Sequence, residues 1–243
     1  MPHVTRPKVD PRFPVQVTIR ATPGLPSLRS PRLFGALRRA IARASVDRFR
    51  VIHFSIQQDH GHFIVEGDEA NRARGGVHGL AIRLALAVNR ALGRKGKVVG
   101  DRYHARPLTS PRQMRTSMVY VLLNFRKHLR APACIDPRSS GPHFRGWKAI
   151  PAVTGVPPAT VEPGTWMARV GWRRAGGPLL VDEHPAAARR PPNLNLRMLR
   201  RRAFRLERAD VEASGRLDLN AVEASGHAED GLLERAELPP VSA

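Results

Sequence analysis

The sequence predicts an α+β fold over its first half, an antiparallel sheet with helices on one face, followed by an irregular C-terminal extension. Two observations carry that expectation. Stretches in which apolar residues recur with period two alternate along the chain with stretches that follow the helical period. After Arg130 Pro and Gly become frequent and the periodicity fades.

The first strand is Phe13 to Arg20, where Val15, Val17 and Ile19 share one face and Gln16, Thr18 and Arg20 the other. Pro23, Gly24 and Pro26 end it. Ser30-Pro31 reads as N-cap and first helical position of a helix running to about Ser45, with Leu33, Phe34, Leu37 and Ile41 as its apolar stripe. A second strand, Arg48 to Gln57, turns at Asp59 into a third, His60 to Glu66. Gly75-Gly76 precedes another amphipathic helix, with Val77, Leu80, Ala81, Leu84, Val88 and Leu92 inward. The turn Gly93-Arg94-Lys95-Gly96-Lys97 suits either a phosphate contact or a solvated surface. Val98 to Leu108 reads as a fourth strand. Ser110-Pro111 opens a helix to about Leu129; Met114, Met118, Val121, Leu122, Phe125 and Leu129 form its apolar stripe. Another face of that helix carries Gln113, Ser117, Tyr120, Asn124 and His128. The order contains strand–helix–strand twice, which is the ferredoxin-like or split βαβ arrangement with the third strand central.

Three regions follow: a core over 1–130, a Pro/Gly-rich extension over 131–185 packing on it, and a basic then acidic tail over 186–243 that is expected to be disordered. Within the extension, Gly164 to Arg174 is expected to be a short helix whose Trp166 and Trp172 pack on the core; base stacking is the alternative for these rings.

Forty-one Lys+Arg against 20 Asp+Glu give a net charge of +21, nearly all of the cations being Arg. A GC-rich genome enriches Arg, but it does not explain so few acids. The excess points to a polyanion such as nucleic acid, which Arg grips bidentately. The single cysteine, Cys134, excludes an internal disulfide and a Cys-based zinc cluster. With no apolar run long enough to span a bilayer and no hydrophobic leader in Met1 to Asp10, a cytoplasmic, nucleoid-associated protein is expected.

The chemistry centres on His60-Gly61-His62. On a strand, residues i and i+2 face the same way, so two imidazoles aim at one point and suit a divalent cation. Satisfied core or surface histidines are the plainer reading of the same two residues. If the last core helix faces the pair, Tyr120 and Asn124, one turn apart, add a carboxamide ligand and a phenol nucleophile.

These residues resemble the single-tyrosine HUH transposases, in particular the REP-associated tyrosine transposases. The match rests on the strand Phe13 to Arg20, on His60-Gly61-His62 with Phe63-Ile64-Val65 after it, on Gly100-Asp101-Arg102-Tyr103-His104, and on Tyr120-Val121-Leu122-Leu123-Asn124. It spans roughly Phe13 to Arg130, about half the chain. The resemblance implies Mg²⁺- or Mn²⁺-dependent nicking and rejoining of single-stranded DNA at hairpin-forming sites, by a monomer or a homodimer. It makes His60, His62 and Asn124 the metal ligands and Tyr120 the nucleophile; Tyr103 is left to the core or to DNA contact. Arg94, Lys95, Lys97 and Arg102 are the expected DNA contacts. The chain departs from the family in having Gly61 where a bulky apolar residue is usual, Asp59 for Asn, and Phe125 for Pro. These departures leave open a protein that binds single-stranded or hairpin DNA without cutting it.

Overall fold

A computed structural model of the chain describes residues 10–46, 48–69, 72–100, 102–126, 134–149 and 156–183. Four strands, β1 (Val15–Arg20), β2 (Phe49–Ile56), β3 (His60–Gly67) and β4 (His104–Pro107), form one antiparallel sheet in the order β2-β3-β1-β4. This is the ferredoxin-like order, with β3 interior. The helices are α1 (Pro31–Ala42), α2 (Arg72–Leu92), α3 (Pro111–Leu123) and the short α4 (Trp166–Arg169), which a 3-10 turn, Gly171–Ala175, follows.

Strand alternation divides the molecule into two cores. Val15, Val17, Ile19, Val51, Phe54, Phe63 and Val65 pack with α1 and α2 on one face. Ile52 and Ile64 pack with α3, Trp147, Met167 and Trp172 on the other. The crossover helices thus share a face as expected, while α3 and the extension cover the second face. All eight residues of β3 are buried, because both of its faces are covered. A bulge between Val51 and His53 switches the phase of β2, putting both Val51 and Ile52 inside, in different cores.

The elements differ from the sequence expectation where long-range contacts intervene. The α2 helix starts at Arg72 and runs through Gly75 and Gly76 instead of following them. Gly76 is needed there: a Cβ would stand 2.0 Å from Cδ2 of the buried Phe49 ring. The fourth strand shortens to His104–Pro107, with Val99 keeping only an isolated bridge to Ala21. Ser30 precedes α1 without a side-chain cap, whereas Ser110 Oγ accepts the Gln113 amide at 3.2 Å and Gln113 Oε1 accepts the Thr109 amide at 2.8 Å. Asn124 forms the C-cap of α3; the expected continuation through His128 and Leu129 lies outside the described residues, as does the tail over 186–243.

Three carboxylate contacts, two of them on buried carboxylates, fasten the extension. Asp136, fully buried, takes a bidentate bond from Arg29 at 2.7 and 2.8 Å. Glu66 on β3 accepts the Gly164 amide at 2.6 Å and the Thr165 hydroxyl at 2.6 Å, and so seats the start of α4. Arg115 of α3 holds Glu183 at 2.7 Å through two nitrogens. The Ile56 amide also donates to the Arg138 carbonyl and the Ser140 amide to the Phe54 carbonyl, so the extension covers the otherwise open edge of β2. Trp172 is buried against α3, but Trp166 is 48% exposed, so only one of the two rings packs as expected.

Gly76→Ala is expected to destabilise the chain by roughly 1–3 kcal/mol in denaturant unfolding, since the Phe49 ring must move out of its buried seat. His53 supplies a pH test. Burial beside Phe144 (ring centroids 5.2 Å apart) pushes its pKa down to about 4. Above pH 6.5 neither folded nor unfolded chain binds this proton; as pH falls below that, only the unfolded chain does. The contribution is therefore complete above pH 6.5 and is lost toward pH 4, by roughly 3 kcal/mol in all. His53→Gln is expected to flatten that part of the stability–pH curve when the two proteins are unfolded in parallel.

Candidate active site

The site forms on the α3 face of the sheet. His60 and His62 project from adjacent same-face positions of β3, and their Nε2 atoms lie 3.0 Å apart. Register explains what holds the rings. Thr18 of β1 is the Cα partner of His62, and its hydroxyl lies 3.0 Å from His62 Nδ1. Asp59, in the hairpin turn, places Oδ1 2.6 Å from His60 Nδ1. That hydrogen bond, partly offset by desolvation, holds the Asp59 carboxyl below its usual range, so it stays ionised and accepts. A carboxylate can only accept, so His60 donates from Nδ1 to Asp59, which points Nε2 toward His62. Both rings are buried, as is Asn124.

Packed over the same face, α3 presents Tyr120 and Asn124 one turn apart. The Asn124 carboxamide nitrogen is 3.2 Å from His62 Nε2, and half a turn of the amide puts its oxygen at that point. The Tyr120 hydroxyl is 3.5 Å from the same nitrogen, with the two rings edge-on at 4.9 Å. The structure thus brings together His60, His62, Tyr120 and Asn124. Tyr103, the other tyrosine, packs against the α1/α2 core on the far side of the sheet.

The donor set fits a divalent cation. Two nitrogen ligands ~2.1 Å from one ion at right angles lie ~3 Å apart, which is the separation of the two Nε2 atoms, and octahedral ions require such angles. Each Nδ1 is engaged by a partner that orients the ring, as metal-bound histidines require. Gln57, 1% exposed beside β3, has its Nε2 on Ser55 and a buried Oε1 with no partner among the described residues. No group of three His, Cys, Asp or Glu side chains converges among the described residues; the carboxamide of Asn124 is a further oxygen donor beside the pair.

The proposed DNA contacts fall at one end of the sheet. Arg94, Lys95 and Lys97 are exposed on the turn after α2. That turn is tied to the end of β1 by Thr22, whose hydroxyl donates to the Lys97 carbonyl at 3.3 Å. The neighbouring Ala21 amide donates to the Asp59 carbonyl at 2.8 Å, which places the cations at the His60 end. Arg102 is exposed two residues before β4. Thr18 is the site residue that sequence reasoning did not single out. Its polar position on β1 was visible, but its pairing with His62 depends on strand register.

Gly61 meets a packing demand on the opposite face: a Cβ would stand 2.8 Å from the Phe63 ring and 3.3 Å from Ile56 Cδ1. Phe63 occupies the space that a larger residue between the histidines would need.

No protein-family model matches the sequence, and no curated protein matches it. Among solved structures the chain is similar to a REP-associated tyrosine transposase bound to a REP hairpin, with 18% identity over 53% of this chain and 74% of that one and a TM-score of 0.44. At that level the likeness assigns no role to any residue here. No helix among the described residues is long and apolar enough to cross a membrane.

Thr18→Val removes the Nδ1 partner of His62 while keeping shape. It is expected to weaken Mn²⁺ binding roughly 10- to 100-fold in calorimetric titration, with the unfolding midpoint little changed. Equal affinities for the two proteins would show that this contact does not orient a ligand.

Proposed function

We propose that the chain is a metal-dependent DNA-strand transferase of the transposase type, which nicks and rejoins single-stranded DNA through a phosphotyrosine at Tyr120. The observation that carries this reading is the convergence of His60 Nε2, the Asn124 carboxamide and the Tyr120 phenol within 3.5 Å of His62 Nε2. The strongly cationic composition supports a nucleic-acid substrate.

His60, His62 and Asn124 would hold Mg²⁺ or Mn²⁺, which when bound supplies Lewis-acid polarisation of the scissile phosphate. Asp59 and Thr18 fix the rings that hold it. Tyr120, on a rigid helix, is set by packing beside that point. Its oxygen forms a bond to phosphorus, the bond from phosphorus to the adjoining nucleotide oxygen breaks, and the phenolic proton ends on the departing hydroxyl. The tyrosyl phosphodiester retains the bond energy, so attack by a second hydroxyl rejoins DNA and restores the phenol. Burial of the histidines on the α3 face limits water at the centre.

A second reading, a DNA-binding protein that no longer cuts, is favoured by the ligand set: two imidazoles and an amide, with no carboxylate converging among the described residues. One experiment separates the two. Incubated with hairpin-forming single-stranded oligonucleotides and Mn²⁺, the chain is expected to yield a covalent adduct on denaturing gels. Chelation, His60→Ala or Tyr120→Phe abolishes it, and Tyr103→Phe does not. An adduct that survives Tyr120→Phe would falsify the assignment of the nucleophile. Salt-sensitive binding without any adduct would favour the non-cutting protein.

A further inference from the structure

Gln57 stands in the row of side chains next to the imidazole pair. Its backbone amide donates to the His60 carbonyl at 2.8 Å, continuing the register that sets Ser55 opposite His62. Directly opposed residues of paired strands share a face, with Cβ atoms about 4.5–5.5 Å apart. Gln57 and Ser55 therefore line the β2 side of the His60–His62 row. Both are buried, Gln57 at 1% exposure. Nothing in the family resemblance gives Gln57 a role.

The neighbours of its carboxamide fix which end is which. A carboxylate paired with Arg29 accepts hydrogen bonds, so the Ser55 hydroxyl directs its one proton to Asp136 Oδ2, 3.5 Å away. The Ser55 oxygen is then left to accept, and Gln57 Nε2 donates to it at 2.7 Å. A flipped amide would set Oε1 against an oxygen with no proton to give. Oε1 is thus the unused end of the side chain; it is buried and meets no hydrogen-bond donor among the described residues. A buried acceptor left in that state destabilises the fold, and native structures keep few of them.

A cation meets the need of such an oxygen as well as a donor does. We infer that Gln57 Oε1 is an oxygen ligand of the divalent cation at the His60–His62 centre and sets the preference of that centre for Mg²⁺ or Mn²⁺ over Zn²⁺. The inference rests on the metal-dependent reading above and deepens it. Two imidazoles alone suit Zn²⁺, Cu²⁺ or Ni²⁺ equally, whereas Mg²⁺ and Mn²⁺ take oxygen ligands in an octahedral set. No carboxylate joins the two histidines in a group of three among the described residues, so the hard donors must be neutral. Asn124 offers one carboxamide oxygen from α3, and Gln57 offers a second from the end of β2. The hydrogen bond to Ser55, itself tied to Asp136 of the extension, holds the Gln57 amide in one orientation before the cation arrives.

The test compares the full wild-type chain with Gln57→Met, which keeps the length of the side chain and removes its oxygen, and with Gln57→Glu, which puts a carboxylate in place of the carboxamide. Each protein is titrated calorimetrically with MnCl₂ and, separately, with ZnCl₂, and is unfolded thermally with and without Mn²⁺. Gln57→Met is expected to bind Mn²⁺ roughly 10- to 100-fold more weakly, with Zn²⁺ affinity little changed and the metal-free unfolding midpoint near that of the wild type. Gln57→Glu is expected to lose stability without metal, because it buries a charge, and to show a larger Mn²⁺-induced rise in midpoint than the wild type. Equal Mn²⁺ affinities in the wild type and Gln57→Met overturn the inference. An equal loss for Mn²⁺ and Zn²⁺ also overturns it, since that is the mark of a residue that only packs. Should Gln57→Met not fold, the Glu variant decides: a Mn²⁺-induced rise no larger than that of the wild type overturns the inference. A wild type that binds no Mn²⁺ overturns it together with the metal-dependent reading. Mn²⁺ binding that depends on Gln57, without a Tyr120 adduct on hairpin-forming oligonucleotides, removes the strand-transfer reading and leaves the ligand in place.

Discussion

One strand must satisfy two cores, and the rest of the molecule follows from that. β3 is interior to the sheet and covered on both sides, so each of its residues is assigned to a face by parity alone. Gly61, Phe63 and Val65 belong to the α1/α2 side; His60, His62, Ile64 and Glu66 belong to the α3 side. A one-residue slip would exchange the two sets, burying imidazoles and a carboxylate among aliphatic side chains. The apolar side fixes the register strongly, and the polar side inherits a register it does not have to stabilise by itself. The histidines are thereby held by the packing of Phe63 and Val65 as much as by their own hydrogen bonds.

Burying the polar side has its own requirements, which residues far along the chain meet. Glu66 sits at 1% exposure and is stable there because the Gly164 and Thr165 amides and the Thr165 hydroxyl saturate its oxygens. Asp136 is similarly saturated by Arg29 and the Arg138 amide. Removing one partner from such a contact leaves an uncompensated charge, a loss of roughly 3–5 kcal/mol, so the Pro/Gly-rich extension is an integral wall of this face. It also occupies the free edge of β2, which would otherwise offer unpaired backbone groups to another chain.

The order of elements, the shared face of His60 and His62, and the shared face of Tyr120 and Asn124 were legible because each follows from a local period. What was not legible depends on partners distant in sequence. Gly75-Gly76 reads as a break before a helix, yet α2 runs through it, since Phe49 presses on Gly76. Trp166 and Trp172 looked equivalent in a short segment, and only the fit against α3 buries one and leaves the other half-exposed. Thr18 was one of three polar residues alternating on β1; nothing local distinguishes it from Gln16 or Arg20 until pairing sets it opposite His62. The extension has no period to read because salt links and helix-end contacts organise it, rather than a continuous apolar stripe.

The two departures around the histidine motif have physical causes within this fold. Gly61 stands where a bulky apolar residue is usual, but the Phe63 ring and Ile56 already fill the space its side chain would take, so a larger residue would compete with them. Asp59 puts a carboxylate where the resemblance leads one to expect an amide. Its carboxylate is committed to His60 Nδ1 at 2.6 Å, with Arg20 close enough to help keep its pKa low. An amide at position 59 accepts a weaker hydrogen bond and orients the same ring with less electrostatic bias. The carboxylate thus makes His60 Nε2 a stronger electron-pair donor, while the Asp59 side chain itself remains largely exposed. Both departures leave the imidazole pair intact, so the proposed chemistry depends on the groups around His62 Nε2 and not on the residues flanking the pair.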